Sequence, residues 1–377
     1  MNVFPSSKKV VSLLLLSVSP FFFSQTSEQT PVKRINTPSE IWPTNKNKRG
    51  DYFYEMSISS FPGYPAENAG SYFTTAKGNV VFGKMSNTAS WPSIKTALAG
   101  DDHHALPRQL HVAWFSPLED KFYEGTFNLD TAELKKDFDK MWRQYPNDSP
   151  LTAGMYDRYS IFSVGVAPGG QVVLWLSSYT RRKIIGTFQA KETNNISWKK
   201  FATLNGIGAG VTREDYVSTA KENAATDLPD KLQQYAKTYN WRPRIEFAGA
   251  TEQQTVQPLK FDIYYNNGEE ESQYHLYEKE NNYRLRAVPK KIIFRFKLDD
   301  DFVYGTGIEP EEDDAYRAFE NMAANSDDKT ELVIRIDNDM NVSEVLLRNG
   351  NRQHKLNVVP KAVGKAAQRE KIDALIE

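Results

Sequence analysis

Phe122-Tyr123-Glu124-Gly125-Thr126 recurs as Phe302-Val303-Tyr304-Gly305-Thr306, an offset of 180 residues, and this recurrence decides how the chain is read. Pro107-Arg108 returns as Pro289-Lys290, and Phe138-Asp139-Lys140-Met141 as Phe319-Glu320-Asn321-Met322. Three short matches at nearly one offset predict one structural unit used twice. A repeat constrains architecture and leaves chemistry open.

Working outward, Leu110, Val112 and Trp114 alternate before the first match, as do Ile292, Phe294 and Phe296 before the second, the period of half-buried strands. A helix follows each. Leu134, Phe138, Met141, Trp142 and Tyr145 share one helical face, and Ala315, Phe319, Met322 and Ala323 repeat it. Asp130 with Glu133 resembles a capping box for the first helix, and Pro310 with Glu311 and Glu312 suits the start of the second. Three strand-like runs come next in each half: Ser160 to Val166, Val172 to Leu176 and Ile184 to Phe188, then Leu332 to Ile336, Val342 to Leu347 and His354 to Val359. Pro168-Gly169 and Asn267-Gly268 read as tight turns, because Pro presets φ and Gly accepts a positive one. Between the halves, Thr212 and Asp215 cap a helix through Ala220, and Leu228 to Tyr239 reads as helical, closed by Asn240-Trp241-Arg242-Pro243. Ala362 to Ile376 reads as a final helix.

The expected fold is therefore α+β: two similar antiparallel sheet-plus-helix units, an internal duplication, joined by a helical segment. The expected divisions are a signal peptide at 1–24, a polar tether at 25–50, a first unit at 51–190, a helical connector at 191–250 and a second unit at 251–377. Lys8-Lys9 followed by the apolar stretch from Val10 to Phe23 carries the export reading, since that stretch is too short to span a bilayer. With 47 basic and 48 acidic residues, the chain offers no electrostatic case for nucleic acid or an anionic membrane. It has no cysteine, which excludes disulfides, thiolate chemistry and a lipid anchor on cysteine. The expected location is periplasmic or secreted, with no transmembrane segment in the mature chain.

Candidate chemistry is thin. Adjacent His103 and His104 in Asp101-Asp102-His103-His104 diverge rather than converge on a metal. Asp337-Asn338-Asp339 opens like a calcium loop, but Val342 and Arg348 stand where Gly and Glu are required. Gly206-Ile207-Gly208-Ala209-Gly210 lacks the spacing of a nucleotide loop and reads as a linker. Glu119, Asp120 and Glu124 are the acids best placed for glycoside chemistry, beside Phe122 and Tyr123. Phe122, Tyr123 and Trp241 are the candidate partner-binding aromatics.

Leu106-Pro107, Trp114-Phe115-Ser116, Glu119 to Tyr123, Val164 to Gly170, Trp175-Leu176 and Tyr239 to Pro243 together resemble a bacterial family known as domain of unknown function 2931. The resemblance spans about Tyr52 to Val359. It implies export, brings no catalytic residues to carry over, and suggests an immunity-like role through relatives encoded near secreted toxins. Many members look like lipoproteins; this chain departs from them in having no cysteine. The leading expectation is a non-catalytic envelope binding protein, an inhibitor or immunity-like factor, that uses no cofactor and no metal. Its partner would be an envelope or secreted protein. The alternative is a metal-independent hydrolase or a binding module acting on envelope glycans.

Overall fold

The structure, a computed structural model, describes residues 49–87, 91–93, 103–143, 156–222, 228–247, 257–274, 281–297, 303–323, 329–360 and 364–366. The expected signal peptide, nearly all of the tether, Asp101, Asp102 and Tyr145 lie outside them. The described residues belong to one compact unit, and their fold is mixed α+β, mostly sheet.

In the first half the strands are β1 (Tyr52–Phe53), β2 (Glu55–Ser60), β3 (Glu67–Asn68), β4 (Tyr72–Thr75), β5 (Gly78–Val81), β6 (His103–His104), β7 (Pro107–Ser116) and β8 (Lys121–Asn128). Helix α1 (Thr131–Asp139) follows, then β9 (Trp142–Arg143), β10 (Tyr156–Asp157), β11 (Ile161–Ala167), β12 (Gln171–Ser177), β13 (Arg181–Gln189) and β14 (Lys191–Glu192). Strand β2 pairs in parallel with β11, which continues antiparallel through β12 to β13. A second layer runs β14-β8-β7-β4-β5, with β3 also on β7. Tyr54, Met56, Ile58, Phe162, Val164, Leu174 and Leu176 point from the first layer into one core. Phe73, Leu110, Val112 and Trp114 meet them from the second, and Leu134 and Phe138 of α1 close the end.

Three helices follow: α2 (Trp198–Asn205), α3 (Arg213–Lys221) and α4 (Leu228–Tyr235). The later strands are β15 (Thr238–Phe247), β16 (Gln257–Tyr265), β17 (Glu270–Tyr274), β18 (Arg284–Ala287), β19 (Pro289–Lys297) and β20 (Val303–Pro310). Then come α5 (Glu312–Met322), β21 (Thr330–Ile336), β22 (Val342–Asn349), β23 (Arg352–Lys355), β24 (Val358–Pro360) and β25 (Gly364–Ala366). Here β15 pairs in parallel with β21, which continues antiparallel through β22 to β23. Strands β17, β16, β19 and β20 form the facing layer, extended by β24 and β25. The second core holds Trp241, Ile263, Phe294, Leu332, Ile334 and Leu347, closed by Phe319 and Met322 of α5. The layers join where Arg181 and Arg182 of β13 pair with Glu271 and Glu270 of β17, making one ten-stranded sheet.

Several local expectations change. Helix α1 stops at Asp139, because Lys140 is already extended and Trp142–Arg143 are spent on pairing with β10; Met141 is exposed. Asp130 accepts from the Glu133 amide, as a capping residue should. Pro310 closes β20 rather than opening α5, whose cap is Glu311. Tyr239 to Pro243 is strand, since Tyr239 and Trp241 alternate inward with period two. Gly364–Ala366 pairs with β20 instead of entering a helix. Helix α2, absent from the sequence reading, packs with α3 on the outer face of β7–β8 through Phe201 and Val217. Of the expected helical connector, α4 alone touches both cores, Leu232 in the first and Tyr235 against each.

Candidate functional site

The aromatics singled out by sequence are interior. Phe122 is 4% exposed, Tyr123 5% and Trp241 0%, so none offers a surface to a partner. The reason lies in how the sheet is covered. Neighbouring residues on a strand face opposite ways, and both faces of β7–β8 are covered at the hairpin end that holds Phe122 and Tyr123. Phe122 packs beneath α2 and α3 with Phe115 and Phe201, while Tyr123 stacks on Trp114 at 5.0 Å. Trp241 packs on Phe319 and donates its indole N–H to the Ala287 carbonyl at 3.2 Å.

The candidate acids hold the fold together. Glu119 accepts hydrogen bonds from the Tyr64 hydroxyl at 2.5 Å, the Tyr123 hydroxyl at 2.9 Å and the Gly169 amide at 2.9 Å. It thereby ties the β7–β8 hairpin to the Pro168-Gly169-Gly170 turn. Burial, reinforced by the Glu119 carboxylate, pushes both phenols above their ordinary range. Asp120 receives Arg213 of α3 at 2.6 Å, and Glu124 receives the Thr193 hydroxyl. His103 and His104 lie in β6, His111 stacks on Tyr72, and Asp337 organises the β21–β22 turn. Among the described residues there is no group of three or more His, Asp or Glu side chains able to hold a metal ion.

Among the described residues, a cleft of about 300 Å³ opens at the β13–β17 junction. The cations on its wall are Arg181, Arg182 and Lys183 at the start of β13, and Arg284 and Arg286 on β18. Three carboxylates, Glu269, Glu270 and Glu271, face them, and Lys183 is paired with Asp137 at 2.6 Å, which leaves one positive charge in excess. Each carboxylate already has a donor or cation: Glu269 accepts from the Ile184 amide and Asn267, Glu270 pairs with Arg182, and Glu271 bridges Arg284, Arg286 and the Tyr265 hydroxyl. Arg286 is 4% exposed; its Nε is on Glu271 and its Nη1 on the carbonyls of Trp241 and Asn282, whereas Nη2 meets no protein acceptor. Burial depresses the pKa of Arg182 and Arg286, the signature of cations removed from water. Leu285, between the two β18 arginines, is 62% exposed.

Sequence reasoning missed this cleft because its two walls lie about ninety residues apart in the chain, and none of its residues forms a motif. A hint was available: Arg181-Arg182-Lys183 and Glu269-Glu270-Glu271 are opposite-charge runs, each at a strand entrance.

Fold and site thus define a sheet-rich α+β protein with a cleft of arginines and glutamates at the β13–β17 junction. It carries no assembled metal centre among the described residues. The chain belongs to the family described as protein of unknown function (DUF2931), which matches residues 26–242. That match takes in the Glu119 tie, the Pro168-Gly169-Gly170 turn and the β13 wall of the cleft, and it stops at Arg242 of β15. No curated protein and no solved structure matches the chain.

Proposed function

We propose that the chain is an exported, non-catalytic binding protein of the bacterial envelope whose ligand occupies the β13–β17 cleft. The observation that carries this reading is the state of the cleft's carboxylates. All three are engaged by internal donors or cations, Glu270 among them, whose carboxyl burial pushes up and Arg182 pairs, while Arg284 stays half exposed and shares its carboxylate with Arg286. Exposed Leu285 beside Arg284 gives the wall the mixed apolar and cationic character of a recognition surface. Export rests on residues 1–24. No helix among the described residues is long and apolar enough to cross a membrane.

The same reading takes the chain as one unit used twice, 51–190 and 251–377 with the strand Thr238–Phe247 added to the second. It is supported by pairings that recur in order. Strand β2 lies parallel to β11 as β15 lies parallel to β21. The β4–β7–β8 antiparallel run has its counterpart in β16–β19–β20, and β14 on β8 in β24 on β20. The cleft then arises at the contact between copies, where binding sites commonly form.

The test is capture in the organism of origin, with the full-length chain tagged at its C-terminus and the envelope and medium fractionated. Recovery of one protein near equal stoichiometry, with the mature N-terminus near Gln25, is the expected result. A cytoplasmic, unprocessed chain would overturn export. An envelope chain that captures nothing but cleaves glycan would overturn the non-catalytic reading.

A further inference from the structure

Strand β18 combines two properties that the cleft alone does not explain. It pairs with β15 along one edge and, among the described strands, with nothing along the other. A free strand edge is a row of backbone donors and acceptors to which an extended segment can add. The strand's residues are Arg284, Leu285, Arg286 and Ala287, of which Arg284 and Leu285 are exposed, so the added segment would meet one accessible cation and one apolar side chain.

Resting on the binding reading above, we propose that the cleft takes an extended acidic segment of a partner protein, added to the β18 edge with a carboxylate on Arg284. Arg284, half exposed, supplies the accessible guanidinium; its Glu271 partner is shared with Arg286, which leaves it donors to spare. Arg286, buried and held by Glu271 and the carbonyls of Trp241 and Asn282, adds a fixed positive charge to the same wall. A guanidinium fork matches the planar carboxylate, and the adjacent Leu285 favours a peptide with an apolar neighbour over a free inorganic anion. The carboxylates Glu269 to Glu271 also oppose a compact, multiply charged anion more than a singly charged side chain.

The experiment is fluorescence anisotropy on the full protein with a labelled Glu-Leu-Glu-Leu-Glu peptide. Its lysine counterpart, a form N-methylated at alternate amides, and inorganic phosphate as competitor complete the set. The expected result is saturable binding of the acidic peptide alone, weakened at least roughly tenfold by N-methylation, by Arg284→Glu and by 0.5 M salt. Arg284→Gln, which changes a half-exposed side chain, serves as the milder variant should Arg284→Glu disturb folding; it should weaken binding severalfold. No binding, equal binding by the lysine or N-methylated peptide, or full displacement by millimolar phosphate would overturn the proposal. Partner capture with Arg284→Glu separates the two readings. A partner retained by the variant leaves a binding protein whose site is elsewhere, whereas capture by neither form removes the binding reading itself.

Discussion

Replacing Glu119 with alanine tests the reading that this carboxylate is a structural tie rather than a catalytic acid. The substitution removes three accepted hydrogen bonds at 2.5 to 2.9 Å. Tyr64 is 1% exposed while Glu119 is half-buried, so water replaces the lost acceptor only incompletely, and an under-satisfied buried donor costs ~1–3 kcal/mol. The Tyr123 hydroxyl and the Gly169 amide lie nearer solvent and recover part of their loss, adding ~1–2 kcal/mol together. The expected destabilisation is about 2–5 kcal/mol, a large fraction of the ~5–15 kcal/mol typical of a folded protein. Urea unfolding followed by tryptophan fluorescence reads it directly, since Trp114 stacks on Tyr123. Glu119→Gln, which keeps an acceptor oxygen and the shape, should lose roughly half as much. The two phenols should also titrate closer to the ordinary tyrosine range in Glu119→Ala, because the negative charge beside them is gone. A loss under ~1 kcal/mol with unchanged phenol titration would refute the tie.

Three further outcomes are expected. Gly268→Ala should destabilise by ~2–4 kcal/mol in thermal or urea unfolding: its φ is +83°, and a Cβ there would lie 2.5 Å from the Pro92 ring. In the Pro168-Gly169-Gly170 turn, Gly169→Ala should cost only ~1–2 kcal/mol, as nothing lies within 4 Å. Gly170→Ala should cost distinctly more, because the Ala190 carbonyl would be 2.5 Å from its Cβ. Burial would raise the Glu331 carboxyl, but hydrogen bonds from Arg348 and Arg242 outweigh it and bring the pKa down to about 2. Its folded value is thus below its unfolded value near 4.5, so its stabilisation is full above about pH 4.5 and lost as pH falls towards about 2. The stability gap between wild type and Glu331→Gln, measured by denaturation across pH 2 to 6, should narrow over that window; a pH-independent gap would refute the assignment.

What could be read from the sequence was local. Asp130 and Thr212 announce their helices because a capping side chain reaches amides only two or three residues on. Asn267-Gly268 announces its turn because only glycine takes its +83° φ cheaply. Alternation in β7 and β19 announced the strands but not what covers them. Phe122 and Tyr123 looked like an exposed aromatic pair, whereas two adjacent large aromatics on a strand instead reflect cover on both faces, here the core and α2–α3. The expected helix through Trp142 failed because strand pairing with Tyr156–Asp157 competes for the same residues.

By itself, then, the sequence determined the succession of strands, caps and turns, together with the absence of cysteine chemistry, since each depends on residues a few positions apart or on composition. Tertiary structure alone decided that β2 lies parallel to β11 and β15 to β21, partners separated by about ninety residues or more. It also decided the seam. Ser57 and Ser163 bond to each other and Ser57 to the Ser93 carbonyl, while the Trp175 indole N–H bonds to the Asn267 carbonyl. On β15, β21 and β22 stand Arg242, Glu246, Glu331 and Arg348, paired among themselves. Small hydroxyl residues let another segment approach closely, whereas the charges centred on buried Glu331 satisfy one another within their own sheet. No local pattern states which segment will approach, because that choice is made by the shape and burial of surfaces that exist only once both halves have folded.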